Sequence, residues 1–211
     1  MNLKKRTALK KEHLRMLHTD PYLFETMSEK IVSWFPTIPR EYVVVCVGTD
    51  RSTGDSLGPL TGTFFSGKRP KHMTIYGTLH EPVHATNLEN YVMDIKENHR
   101  NPYIIAVDAC LGRNTSVGCL ITGVGPLLPG AALNKPLPSI GDIHITGVVN
   151  IGGFMEHSVL QNTRLSIVVD MANKIADLLD ILDQRLTRQH TLPAIVSSHL
   201  ERPVHTKEID L

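Results

Sequence analysis

Three groups of residues in this chain have the types and spacing that chemistry requires. His80-Glu81-Pro82-Val83-His84 fits the zinc-protease string of two imidazoles bracketing a carboxylate. That chemistry needs both rings one helical turn apart on one face, with the Glu beside them. Pro82 belongs at a helix start rather than inside one, which leaves His80 ahead of the helix. Loop and helix-start residues are the better account of this string. Gly54-Asp55-Ser56-Leu57-Gly58 satisfies the nucleophile-elbow pattern, and its first four letters spell the GDSL of a serine-esterase class. An elbow turns immediately after its strand, whereas here the six residues Thr49 to Gly54 intervene. An esterase also needs a late His with an acidic partner. His144, His157, His190, His199 and His205 are available, but no Asp-x-x-His spacing occurs near the C-terminus. As a helix-capping Ser, Ser56 is ordinary.

The third group is a pair. Asp55 follows an apolar strand-like run at the start of a helix, and Asp108 closes a second such run, Tyr103 to Val107. In open α/β sheets, ligands bind in the crevice outside the carboxyl ends of the strands. If the two strands are neighbours, the carboxylates meet there. Two close carboxylates do not both ionise cheaply, so they share a proton. One member then activates water while the other protonates a leaving group. The alternative is purely structural, with Asp55 capping its helix and Asp108 ending its strand.

Such a pair must be placed by a parallel sheet, and the chain supplies the signals for one. Tyr42 to Val47 is a continuous β-branched run, expected of a strand buried on both faces. Met73 to Thr78 and Tyr103 to Val107 are further strands, with helices expected from Leu57 and from about Pro82 between them. Strand and helix alternating at this spacing predict parallel crossover units in an α/β sandwich. Only about seven residues separate Asp108 from the apolar stretch Val117 to Val124, too few for a crossover, so that strand is expected to run antiparallel. The proline-rich segment Gly125 to Gly141 reads as a long functional loop, and Ile143 to Val149 as a last strand. An N-terminal helix is expected after Asp20-Pro21, with Phe24, Met27, Ile31 and Trp34 at helical spacing. From Leu160 to Leu186, apolar residues at steps of three and four predict one long helix. Its three heptads also have the length to hold a homodimer seam.

These elements divide the 211 residues into a basic N-terminal tail (1–19), a single α/β domain (20–188) and a C-terminal tail (189–211). The totals are unexceptional: 41% hydrophobic, 20% charged, and 22 Lys+Arg against 21 Asp+Glu. A formal charge of +1 gives no bulk attraction to nucleic acid or acidic membrane, and no run is long enough to span a bilayer. Cys46, Cys110 and Cys119 form no CxxC pair and read as free thiols of a cytoplasmic protein.

At the two aspartates the chain resembles a known family. Thr53-Gly54-Asp55-Ser56-Leu57-Gly58-Pro59 resembles the T-x-D-x-L-G-P element of the bacterial spore germination protease, and Ile105-Ala106-Val107-Asp108-Ala109 its I-A-x-D-A strand end. Thr122-Gly123-Val124, Pro129-Gly130 and Asn134-Lys135 echo its T-G-I…P-G…N-K loop. Over Tyr42 to Leu186 the chain is most similar to the sporulation protein YyaC family, relatives of that protease. The resemblance implies a three-layer α/β sandwich with a mostly parallel mixed sheet, of the phosphorylase/hydrolase-like type shared with hydrogenase maturation proteases. It implies an aspartic-type endopeptidase acting through Asp55 and Asp108 on small acid-soluble spore proteins, in the forespore or spore core. Asp50, Ser56, Pro129, Gly130 and Asn134 are then expected to contact the substrate. Hydrogenase maturation proteases hold a metal through two carboxylates and a His. On that comparison Gln161 stands where the His would be, so no tightly held metal and no cofactor are expected. His157, one turn earlier, is the residue that would overturn this. The chain is much shorter than the germination protease and its proline-rich loop is rebuilt, so a non-catalytic sporulation protein on the same fold is the alternative.

Overall fold

The computed structural model describes residues 12–129 and 137–191. Six strands form one sheet: β1 (His13–Leu17), β2 (Tyr42–Cys46), β3 (Met73–Tyr76), β4 (Tyr103–Gly112), β5 (Cys119–Val124) and β6 (Ile143–Ile151), in the order β1-β5-β6-β4-β2-β3. The run β6-β4-β2-β3 is parallel, while β5 is antiparallel to both β6 and β1. The expected mixed, mostly parallel sheet is present.

Its two faces explain the composition of the central strand. All five residues of β2 are buried, and they divide alternately between two apolar clusters. Val44 and Cys46 join the larger cluster with α1 (Leu23–Val32), α2 (Leu57–Gly67) and α5 (Leu165–Thr191). Val43, Val45 and Val47 join the smaller one with α3 (Leu88–Asn98) and the loop residues Leu127 and Ile140. A strand covered on both sides has no polar face, which is why it reads as an unbroken apolar run. In α5, Val168, Ala172, Ile175, Leu179, Leu182 and Leu186 are buried together with Met171 and Leu178, so both apolar stripes pack within the chain. Each such large side chain contributes about 1.5–3 kcal/mol relative to exposure. Asp183, also on α5, accepts the backbone N–H groups of Lys71 and His72 at 2.9 and 2.8 Å, anchoring the helix to the entry of β3.

Five boundaries differ from the sequence expectation, each for a physical reason. The domain begins before residue 20, because His13–Leu17 forms the edge strand that pairs with β5. Leu14 and Met16 pack on the core, while Glu12 accepts hydrogen bonds from Lys30 and Trp34 at 2.8 and 2.9 Å. Residues 1–11 and 192–211 of the expected tails lie outside the described residues, and α5 continues to Thr191. Helix α3 starts at Leu88 rather than near Pro82, because Val83 forms a parallel bridge with Val47 and the Asn87 side chain ties the loop to Pro82 and His84. Strand β4 runs on to Gly112, so Asp108 lies within it rather than at its end. The helix expected from Leu160 is two helices, α4 (Glu156–Gln161) and α5, separated at Thr163, whose hydroxyl donates to the Val159 carbonyl at 2.8 Å. The β5 direction agrees with expectation, although β6 lies between it and β4. Among the described residues, no helix is long and apolar enough to cross a membrane.

Candidate active site

Strand β2 leads through α2 to β3 on one side, and the chain returns through α3 to β4 on the other. The crossovers therefore diverge between β2 and β4, and the crevice at their carboxyl ends is the place where this topology binds ligands. Pairing of β2 with β4 ends at Cys46 opposite Val107, so Asp108 is the first residue of β4 beyond its neighbour. On its other side Asp108 stays in register with Thr146 of β6. One edge of the residue is held by the sheet and the other opens on the crevice.

Asp55 reaches the same place from the β2 end by a loop that folds back sharply. Gly48 has φ +148°, and a Cβ there would lie 2.0 Å from the Asp55 carbonyl oxygen. Only glycine permits both that angle and that approach. The Thr49 N–H donates to the same carbonyl at 3.1 Å, closing the loop. Gly54 donates its N–H to the Leu160 carbonyl at 2.8 Å, joining the Asp55 loop to α4.

The resulting cleft has a volume of about 750 Å³ and is lined by Asp55 and Asp108 together with Ser52, Thr146, His157 and Gln161. Their environments differ. Asp108 keeps partial access to the cleft, but its carboxyl lies deep among protein atoms. Burial pushes it up to about 8, against the pull of the Ala109 N–H, which donates to it at 2.8 Å; the Asp55 charge pushes it further up. Asp55 is half-buried and also raised by burial, but the Ser52 hydroxyl and His157 beside it hold it down. Near neutral pH the arrangement favours a protonated Asp108 and an ionised Asp55, one proton for two carboxyl groups.

The other expected site residues divide. Asp50 and Pro129 line the cleft, Asp50 at its exposed rim. Ser56 does not line it: the residue is buried and its hydroxyl donates to the Thr53 carbonyl at 2.6 Å, inside the turn. The geometry thus gives the esterase reading no support. Gly130 and Asn134 lie outside the described residues. His80 and His84 occupy a loop, not one helical face, and the His84 ring bonds the Thr86 hydroxyl at 2.9 Å. Cys110, on the cleft floor beside Thr146, is pushed up to about 11 by burial, so it holds its proton. Among the described residues, no three His, Cys, Asp or Glu side chains come together closely enough to hold a metal ion. Asp55, Asp108 and His157 all line the cleft without forming such a group.

Two cleft residues escape a sequence reading. Thr146 is placed by its register with Asp108, which only the pairing of β4 with β6 reveals. Ser52 lies in the Asp55 loop, where its three-residue spacing ahead of Asp55 is a signal that the GxSxG pattern around Ser56 obscures.

Comparison with known proteins agrees with the fold and gives the family. The chain is similar to the solved NiFe hydrogenase maturation protease HycI from Thermococcus kodakarensis KOD1, with TM-score 0.50 and 16% sequence identity, covering 72% of this chain and 99% of that one. At that identity the likeness is one of fold. Uncharacterized protein YyaC of Bacillus subtilis (strain 168) is 55% identical over 153 residues, covering 72% of this chain and 75% of that protein. Residues 15–178 match the family described as "Protein of unknown function (DUF1256)". The chain belongs to this family, of which Bacillus subtilis YyaC is a close relative.

Proposed function

We propose that this chain is a sporulation-associated endopeptidase that hydrolyses peptide bonds with the Asp55–Asp108 pair. The observation that carries the reading is the placement of two carboxyl groups at the sheet's switch point in unequal surroundings, Asp108 deep and raised to about 8, Asp55 half-buried with its own rise from burial opposed by Ser52 and His157. Such a split assigns acid and base. Ionised Asp55 takes a proton from water as the water oxygen attacks the scissile carbonyl carbon. Protonated Asp108 gives its proton to the amide nitrogen as the C–N bond breaks. The product is a carboxyl group and an amine, and the proton left on Asp55 returns the pair to its starting state by passing to Asp108. The protease-like fold and the resemblance of the residues around both aspartates to the germination protease support a protein substrate, and that resemblance favours small acid-soluble spore proteins. The near-neutral total charge favours contact with such a substrate apart from DNA.

The test is incubation of the purified chain with small acid-soluble spore proteins, beside Asp108→Asn, with products read by mass spectrometry. Defined cleavage by the wild type and loss of at least about 100-fold in the variant is the expected result. Cleavage by neither moves the function to a non-catalytic sporulation protein.

A further inference from the structure

We infer that the edge of β4 beyond Asp108 binds the substrate peptide as an added parallel strand, through the backbone of Ala109 and Leu111. The inference rests on the hydrolytic reading of the aspartate pair and deepens it by naming how the site holds an extended peptide. Pairing of β2 with β4 ends at Cys46 opposite Val107, and the last bond across it runs from the Val47 N–H to the Val107 carbonyl at 2.7 Å. From Asp108 to Gly112, β4 pairs with β6 alone. Its burial changes at the same residue. Ile105, Ala106 and Val107 are buried, whereas every residue from Asp108 to Gly112 is partly exposed. An open strand edge is a row of backbone groups ready to pair with another chain, and extended peptides are bound in this way.

The alternation of the strand says which groups are offered. Backbone groups of successive residues point to opposite edges. The Val107 carbonyl faces β2, while the Gly112 carbonyl accepts the Gly152 N–H at 2.8 Å on the β6 side. Ala109 and Leu111, in step with Val107, therefore face the crevice, and both line the cleft with the two aspartates. The Asp108 carboxyl already accepts the Ala109 N–H. That contact selects the direction, because an antiparallel partner opposite Ala109 would need the same N–H. A parallel partner does not. Its residue opposite Cys110 gives its N–H to the Ala109 carbonyl and accepts the Leu111 N–H, and its residue opposite Gly112 gives its N–H to the Leu111 carbonyl. The peptide then runs in the direction of β2. With the scissile nitrogen at Asp108, the paired residues lie on the leaving-amine side.

The experiment uses the full chain and a synthetic peptide spanning the cleavage site that mass spectrometry maps in a small acid-soluble spore protein. The peptide's backbone amides are N-methylated one at a time. Methylation of the alternate amides opposite Cys110 and Gly112 is expected to lower kcat/KM by roughly 10-fold each, and methylation of the amide between them by less than about twofold. Equal tolerance throughout, or sensitivity confined to the acyl side, overturns the added strand and leaves the aspartate pair standing. No cleavage by the wild type overturns the pair, and this inference with it. A second readout uses the 15N-labelled Asp108→Asn chain with the unmethylated peptide. The Leu111 amide is expected to exchange its hydrogen quickly in the free chain and at least about 10-fold more slowly with saturating peptide. A Leu111 amide protected without peptide puts the chain's own loop or a second copy on this edge and overturns the inference. An unslowed Leu111 amide with the peptide bound overturns it as well.

Discussion

The Gly54 N–H donates to the Leu160 carbonyl at 2.8 Å, and this bond locks the loop carrying Asp55 to the helix carrying His157. A Cβ on Gly54 would stand 3.1 Å from both the Leu160 Cα and its carbonyl oxygen, so the two backbones meet with no room for a side chain. From the α4 side, Asn150 of β6 donates to the Val159 carbonyl and the Thr163 hydroxyl at 3.4 and 3.1 Å. The cleft is therefore assembled from a loop, a short helix and a strand by backbone approach more than by side-chain packing.

Gly48→Ala probes that assembly. The substitution combines a left-handed φ with a Cβ 2.0 Å from a backbone oxygen, which no rotamer change relieves. The expected cost is about 3 kcal/mol, or about 6–12 °C in Tm, with loss of activity beyond what the stability change explains. Thermal unfolding followed by circular dichroism measures it. A Tm within about 2 °C of the wild type contradicts the described loop.

Asp108 also sets a pH dependence of stability. Its folded carboxyl is raised to about 8, above the ordinary unfolded value near 4, so between those values the folded state binds the extra proton. Stability contributed by this group is present below about pH 4 and is lost as pH rises toward 8. Asp108→Asn imitates the protonated carboxyl at every pH and can still accept the Ala109 N–H. It is expected to be more stable than the wild type at pH 8, with a higher Tm, and the difference is expected to close at pH 4–5. Paired thermal melts across that range check the sign. A variant less stable at pH 8 than at pH 5 relative to wild type contradicts it.

His157→Gln separates the two limbs of a pH–rate profile. His157 holds Asp55 down, so without it Asp55 ionises at higher pH. The acid limb of kcat/KM, which reports the base, is expected to move to higher pH while the alkaline limb, which reports Asp108, stays in place. Movement of the alkaline limb alone assigns the acid and base the other way round.

Much of this was legible in the residues themselves. Val43, Val44 and Val45 announce a strand covered on both faces, and Asp55 and Asp108 stand out because each follows such a run. The edge strand was not legible: His13–Leu17 has only Leu14 and Met16 to offer the core, and its conformation comes from the open edge of β5. The division of the last helix was hidden because apolar spacing continues from Leu160 through the break, which Thr163 and Asn150 create by hydrogen bonding. Ser56 drew the substrate assignment by motif, whereas the loop turns Ser56 inward and leaves Ser52 on the cleft. Which hydroxyl of a short loop reaches the cleft depends on the folded path of the backbone, and no residue pattern encodes it locally.

The central claim, one proton shared between Asp55 and Asp108 at neutral pH, is tested most directly by 13C NMR titration of the two side-chain carboxyls in the intact chain. The predicted result is an Asp108 titration near pH 8 in the wild type that moves to lower pH in Asp55→Asn, where the neighbouring charge is gone. Two independent titrations at ordinary carboxylate values near 4, unchanged when the partner is replaced, would contradict the account.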